Sequence, residues 1–150
     1  MKKSISYFAE ATLFLLIFYS CTINSPDSSQ IELVSYKSNG CITASKTNGQ
    51  NAINDEAIVE AGYSDGFLMI YLNFTTLCSA ELKDSVQTTE NRIEIYLKDT
   101  NTEASKCFCP HREEFKFATE AKKQVEIIFN YKAYASTEYS LLADTTIIMN

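Results

Sequence analysis

Arg92-Ile93-Glu94-Ile95-Tyr96-Leu97-Lys98 alternates strictly between outward polar and inward apolar character, and so does Glu114-Phe115-Lys116-Phe117. A period of two is what a strand with one face in a core and the other in water requires, because successive side chains point to opposite sides. Short runs rich in Val, Ile, Phe and Tyr occupy residues 31–37, 41–46, 57–63, 67–76, 80–86, 92–98, 114–119, 125–131 and 145–149, with turn residues between them. Phe67-Leu68-Met69-Ile70-Tyr71-Leu72 is apolar on both faces. It reads as a central strand, covered on one side by an opposing sheet and on the other by loops or a partner. Ser64-Asp65-Gly66 supplies the positive φ angles of a tight hairpin, and Thr89-Glu90-Asn91 makes a second reversal. Residues 119–123 read either as one helical turn or as a polar loop. The expected fold is all-β, an antiparallel, immunoglobulin-like β-sandwich; a small β-barrel has the same sequence signature.

The first twenty residues have another character. Met1-Lys2-Lys3-Ser4 is a basic start, and Leu13-Phe14-Leu15-Leu16-Ile17-Phe18-Tyr19 is an unbroken apolar run, the layout of a secretory signal peptide. Counted back to Ala11 the apolar stretch is nine residues long, whereas a helix crossing the bilayer needs about 20. Glu10 marks where the insertable stretch must begin, because a charge inside it is costly. The run ends in Phe18-Tyr19-Ser20-Cys21, which resembles a lipobox in the looser form found in Bacteroidetes lipoproteins. That resemblance implies cleavage before Cys21 and acylation of its thiol, and several chains on one cysteine give a lasting attachment to the bilayer.

Residues 21–30 then read as a lipidated Cys21 followed by a flexible polar tether, and residues 31–150 as one domain. The tether has a single acid, Asp27, rather than the acidic cluster that resembles a surface-export signal, so the periplasmic face of the outer membrane is favoured over the cell surface. The whole chain carries 13 basic and 19 acidic side chains; removing Lys2, Lys3 and Glu10 leaves 11 and 18, a formal charge of −7. Nucleic-acid binding needs a clustered basic face, and this sequence has no such run.

After Cys21, four cysteines remain: Cys41, Cys78, Cys107 and Cys109. An even set in an exported chain points to two disulfides. A bond between Cys107 and Cys109 would close a very small ring, so the pair is expected to divide between Cys41 and Cys78, in either order. Cys107-Phe108-Cys109-Pro110-His111 also gathers two thiols and the chain's one histidine within five residues, a set suited to zinc or copper(I). Structural zinc sites use a wider Cys spacing, and an oxidising compartment competes for thiols, so neither a metal ligand nor a cofactor is assigned. His111 alone reads as a solvated loop residue.

Leu72-Asn73-Phe74-Thr75-Thr76-Leu77-Cys78, Arg92-Ile93-Glu94-Ile95-Tyr96, Cys107-Phe108-Cys109-Pro110-His111, Phe115-Lys116-Phe117 and Val125-Glu126-Ile127-Ile128-Phe129 together resemble a group of small Bacteroidetes lipoproteins without an established activity. The likeness covers residues 67 to 131. In that group a strand ends in Phe-Asn-Cys-Cys, an Ile-x-Ile strand follows, and a Cys-x-Cys loop leads into an aromatic-x-aromatic strand. The resemblance places Cys78 beside the Cys107–Cys109 segment and implies a bond between them. Ser79 stands where the group has its second cysteine, which leaves Cys41 to take that cysteine's role.

The sequence has no Gly-x-Ser-x-Gly elbow to accompany His111, and its four glycines form no phosphate loop, so no enzyme is expected and no catalytic residue is assigned. Asp55-Glu56, Asp65 and Glu113-Glu114 read as solvated carboxylates. Asn73-Phe74-Thr75, Asp84-Ser85-Val86 and Asp144-Thr145-Thr146 match short glycosylation patterns of low specificity. Among nine tyrosines, Tyr71 and Tyr131 read as core, and Tyr134 and Tyr139 as exposed. The functional expectation is a non-catalytic cell-envelope lipoprotein that binds a protein or glycan through loops on a rigid scaffold. The alternative is a periplasmic metal- or thiol-handling protein using Cys107, Cys109 and His111.

Overall fold

The computed structural model describes residues 30–42, 56–103, 105–120 and 124–149. The expected signal peptide, Cys21 and residues 22–29 of the expected tether lie outside them, as do residues 43–46 of one expected strand. The described residues form eight strands: β1 Glu32–Cys41, β2 Ile58–Ser64, β3 Phe67–Leu77, β4 Leu82–Thr88, β5 Arg92–Asp99, β6 Phe108–Ala118, β7 Gln124–Lys132 and β8 Ser140–Ile148. They make two four-stranded sheets, ordered β1-β6-β3-β2 and β4-β5-β7-β8. This is the expected two-layer sandwich, and neither sheet closes on itself as a barrel.

Pairing is antiparallel except between β5 and β7. Those two run parallel because the strand between them in sequence, β6, crosses to the other sheet and returns the chain to its starting end. The β2–β3 turn has Ser64 opposite Phe67 with only Asp65 and Gly66 between. Their φ angles of 53° and 81° are those a two-residue hairpin demands. The second expected reversal closes through Thr89 N–H donating to the Arg92 carbonyl at 2.8 Å.

Alternation builds the core. Leu68, Ile70, Leu72 and Phe74 of β3, with Phe115 and Phe117 of β6, face Ile93, Ile95 and Leu97 of β5 and Val125, Ile127 and Phe129 of β7, all buried. Phe115 joins the layers: its ring lies 4.9 Å from Tyr36 on its own sheet and 5.8 Å from Phe129 on the other. On the second apolar face of β3, side chains of the neighbouring strand β6 lie against the aromatic rings. Arg112 Cζ lies 4.5 Å from the Tyr71 ring centre and Lys116 Nζ 3.8 Å from that of Phe67, so the cationic heads of the neighbouring strand sit over these rings. Tyr71 therefore sits on the outer face, not in the core.

Strand β6 begins six residues before the expected 114–119 segment, taking in Phe108-Cys109-Pro110-His111 and leaving Cys107 just before it. It is a central strand, where proline is disfavoured because it cannot donate to the ladder. The Pro110 carbonyl accepts from Ile42 N–H at 3.0 Å. A residue's N–H and C=O point to the same neighbouring strand, so the missing donor faces the chain just past the end of β1, where no ladder bond is lost. Strand β8 likewise starts earlier than expected, at Ser140.

Candidate functional site at the disulfide end

The register brings the ends of β1, β3, β5 and β7 together with the starts of β4, β6 and β8: Cys41 lies opposite His111, Leu77 opposite Phe108, Leu82 opposite Asp99 and Tyr131 opposite Ser140. The two sheets meet at this end through a 2.6 Å hydrogen bond between the Thr76 and Tyr131 hydroxyls, and the Phe74 and Tyr131 rings contact edge to face at 5.4 Å.

Two disulfides close it. Cys41 bonds Cys109 and Cys78 bonds Cys107, with Cα atoms 5.7 Å and 5.6 Å apart. Cys107 and Cys109 thus divide between the other two cysteines, and Cys78 joins the Cys-x-Cys segment as the family resemblance implies. The first bond ties β1 to β6, the second the β3 terminus to the chain entering β6. They lie side by side, with the Sγ atoms of Cys41, Cys78 and Cys109 all within 4.8 Å of one another. His111 stands outside that sulfur group.

Ser79 organises the described part of the loop between β5 and β6. Its N–H donates to Ser105 Oγ at 3.3 Å, its hydroxyl donates to the Glu103 carbonyl at 3.1 Å, and it accepts from Ser105 N–H at 3.2 Å. The Asn101 side-chain amide donates to the Ser79 carbonyl. Asp99 Oδ1 holds the same loop from below, accepting from Glu81 N–H at 3.2 Å and Asn101 N–H at 3.0 Å.

Between the end of β3, the start of β6 and the β7–β8 connection lies a cleft of about 340 Å³ lined by Thr75, Thr76, Leu77, Phe108, Tyr131, Ala133 and Tyr134. The Tyr134 hydroxyl donates to the Thr102 carbonyl at 3.1 Å and ties that wall to the β5–β6 loop. The neighbouring Ala135 has φ 59°, a left-handed conformation that costs a residue with a Cβ about 1–2 kcal/mol. Tyr139 is 44% exposed, as expected, and its ring meets Tyr96 edge-on at 5.3 Å; Tyr134 is only half-buried.

Beneath the disulfides two ionisable side chains point into the sandwich. His111 is 1% and Glu113 0% exposed. Both had read as solvated; the early start of β6 puts its odd-numbered residues inside, leaving only Glu114 of the Glu113-Glu114 pair outward. Tyr36 donates to Glu113 Oε2 at 2.7 Å and Ser38 to Oε1 at 3.0 Å. His111 Nδ1 is 3.9 Å from Glu113 Oε1, and neither ring nitrogen has a hydrogen-bond partner of good geometry among the described residues. Burial pushes the His111 pKa down, opposed by the Leu77 backbone and the Asp99 charge. Burial pushes Glu113 up, opposed by its hydrogen bonds from Tyr36 and Ser38.

These shifts give pH slopes of opposite sign. Below the ordinary histidine value of 6.5 the unfolded chain holds the His111 proton more readily than the folded one, so stability falls as pH drops from there towards the lowered folded value. Glu113 keeps its proton in the folded chain above the ordinary 4.5, so its burial costs stability as pH rises through the window up to its raised value. His111→Phe is expected to raise the melting temperature at neutral pH, as two unpaired buried nitrogens are removed, a gain on the order of 1 kcal/mol. It should also flatten the loss between pH 7 and pH 5. A variant with the parent's slope would show that His111 is not the buried neutral base.

Cys41, Cys78, Cys107 and Cys109 are thus brought together, and His111 lies buried nearby on the inner face. No local pattern marks the cleft: Phe108 stands in a cysteine motif, and Tyr131 and Tyr134 lie far from it in the chain. Comparisons with protein-family models, with curated proteins and with solved structures return no match.

Proposed function

We propose that this chain is a non-catalytic cell-envelope lipoprotein whose disulfide-stapled end receives an apolar side chain of a protein partner. The cleft carries the reading. Its volume lies at the low end of the range for ligand pockets, enough for one or two side chains, and its walls are apolar with hydroxyls of Thr76, Tyr131 and Tyr134 at hand to orient a polar edge. Both walls are fixed by covalent or hydrogen bonds, so binding would order little that is not already ordered.

Polarity of the chain supports the same reading. Strand β1 enters at Glu32, at the end opposite Cys41, and its ten residues span about 33 Å. With acylated Cys21 and the tether of residues 21–30 leading to that entry, the cleft stands on the side away from the bilayer. A partner in the periplasm then has free access to it.

The test places a photo-crosslinking amino acid at Ala133 in the cleft, or at Ser85 on exposed β4, in the full-length protein expressed in its own envelope. The expected result is a discrete protein adduct from position 133 that Tyr134→Asp removes, with none from position 85. Cys21→Ser should move the protein from the membrane fraction to the soluble or unprocessed pool. Equal labelling from both positions, or capture of a glycan by the cleft instead, would overturn the assignment of the partner. An unmodified N-terminus with unchanged fractionation would overturn the anchor.

A further inference from the structure

We propose that the two neighbouring disulfides are the oxidised form of a zinc site, in which Cys41, Cys78, Cys107 and Cys109 bind one Zn2+ as four thiolates once both bonds are reduced. The inference is independent of the cleft and its partner.

The geometry is close to what the ion needs. Tetrahedral zinc with Zn–S bonds of about 2.3 Å holds its ligand sulfurs about 3.8 Å apart. The Sγ atoms of Cys41, Cys78 and Cys109, drawn from three separate stretches of chain, already lie within 4.8 Å of one another. The fourth sulfur, that of Cys107, is bonded to Cys78. Reduction frees the Cys107 thiol to turn toward the other three, so that two S–S bonds give way to four S–Zn bonds. Four sulfurs in a tetrahedron select zinc over the harder divalent cations, which prefer oxygen ligands.

The frame holding these residues does not consist of the disulfides alone. Cys109 is paired with Thr76 and Cys41 with His111 in the β ladder, and Cys78 N–H donates to the Cys107 carbonyl at 3.0 Å. The Ser79–Ser105 hydrogen bonds fix the loop behind them. While the fold persists, reduction leaves the four thiols near one another on this hydrogen-bonded scaffold. The Cys-x-Cys spacing, too short for a zinc knuckle, ceases to be an objection once the ligands come from β1, β6 and the loops that flank it.

The chemistry balances with a dithiol reductant. Each disulfide takes two electrons and two protons from one dithiol, which leaves as its own disulfide. Zinc then replaces the four thiol protons, which pass to solvent, and the site carries a net charge of −2. Oxidation releases the ion and restores the two bonds, so metal occupancy follows the redox state of the surroundings.

The experiment titrates Co2+, as a spectroscopic stand-in for zinc, into protein reduced by a phosphine under anaerobic conditions. The intense visible bands of a tetrahedral cobalt thiolate should grow to one equivalent and vanish when one equivalent of Zn2+ is added. Oxidised protein should give no such bands. Cys41→Ser and Cys107→Ser should each abolish the four-sulfur spectrum or weaken binding at least about tenfold, while His111→Phe leaves it unchanged. If the reduced protein loses its β circular dichroism, zinc should restore it, since metal binding and folding are then one equilibrium. Reduced protein that shows no thiolate bands, bands that survive loss of Cys41, or equal binding by the oxidised form would each overturn the proposal.

Discussion

Replacing Cys41 and Cys109 together by alanine is expected to lower the unfolding free energy by about 4 kcal/mol, read as a drop in the urea midpoint at unchanged slope. The bond closes a loop with a sequence separation of 68 residues, and the Cys78–Cys107 bond one of 29. Loop-closure entropy gives about 4.4 kcal/mol for the first and about 3.6 kcal/mol for the second. The difference is too small to rank them by entropy, so burial decides. Cys109 is 1% exposed and belongs to the core, whereas Cys107 lies at the surface. Loss of the Cys41–Cys109 bond is therefore expected to cost more, and a mild reductant is expected to open Cys78–Cys107 first. A domain of this size is stable by about 5–15 kcal/mol, so opening both bonds without metal brings the fold near its limit. A reduced, metal-free protein as stable as the oxidised one would remove the cysteines from the structural account.

Phe115→Ala is expected to cost about 3–5 kcal/mol, as much as a disulfide. The ring is fully buried and touches both layers, Tyr36 beside it and Phe129 across from it. The opposing sheet is held by its own ladder and cannot close on the space left behind, so the loss includes a cavity as well as burial. Phe117→Leu nearby keeps most of its volume and should cost less than half as much. If Phe115→Ala cost under about 1 kcal/mol, the sheets would not be packed through that ring.

The layers and the alternating strands were legible because burial on one face leaves a period of two in the sequence, as in β5. The Asp65-Gly66 hairpin was legible because few residues tolerate positive φ. The division of Cys107 and Cys109 between two partners followed from the small ring they would otherwise close. Other features were hidden for physical reasons. The start of β6 was masked by Pro110, His111, Arg112 and Glu113, polar or ladder-breaking residues whose placement depends on where β1 ends and which hydroxyls meet the carboxylate. Tyr36 and Ser38 reach Glu113 from 77 and 75 residues away, and no local pattern records such a meeting. The parallel β5–β7 pair arises from a crossover between sheets, which is a property of topology alone. The cleft is of the same kind, assembled from three chain segments that meet only in the folded molecule.

The stapling of the candidate site rests on how the four cysteines pair, and peptide mapping of unreduced protein reads that directly. Pepsin at acid pH cuts beside Phe108 and so separates Cys107 from Cys109, while the absence of thiolate prevents exchange between the bonds. The account predicts two linked peptides, one joining Cys41 to Cys109 and one joining Cys78 to Cys107, with no free thiol among the four. Peptides joining Cys41 to Cys107 and Cys78 to Cys109, or four free thiols in the native protein, would contradict it.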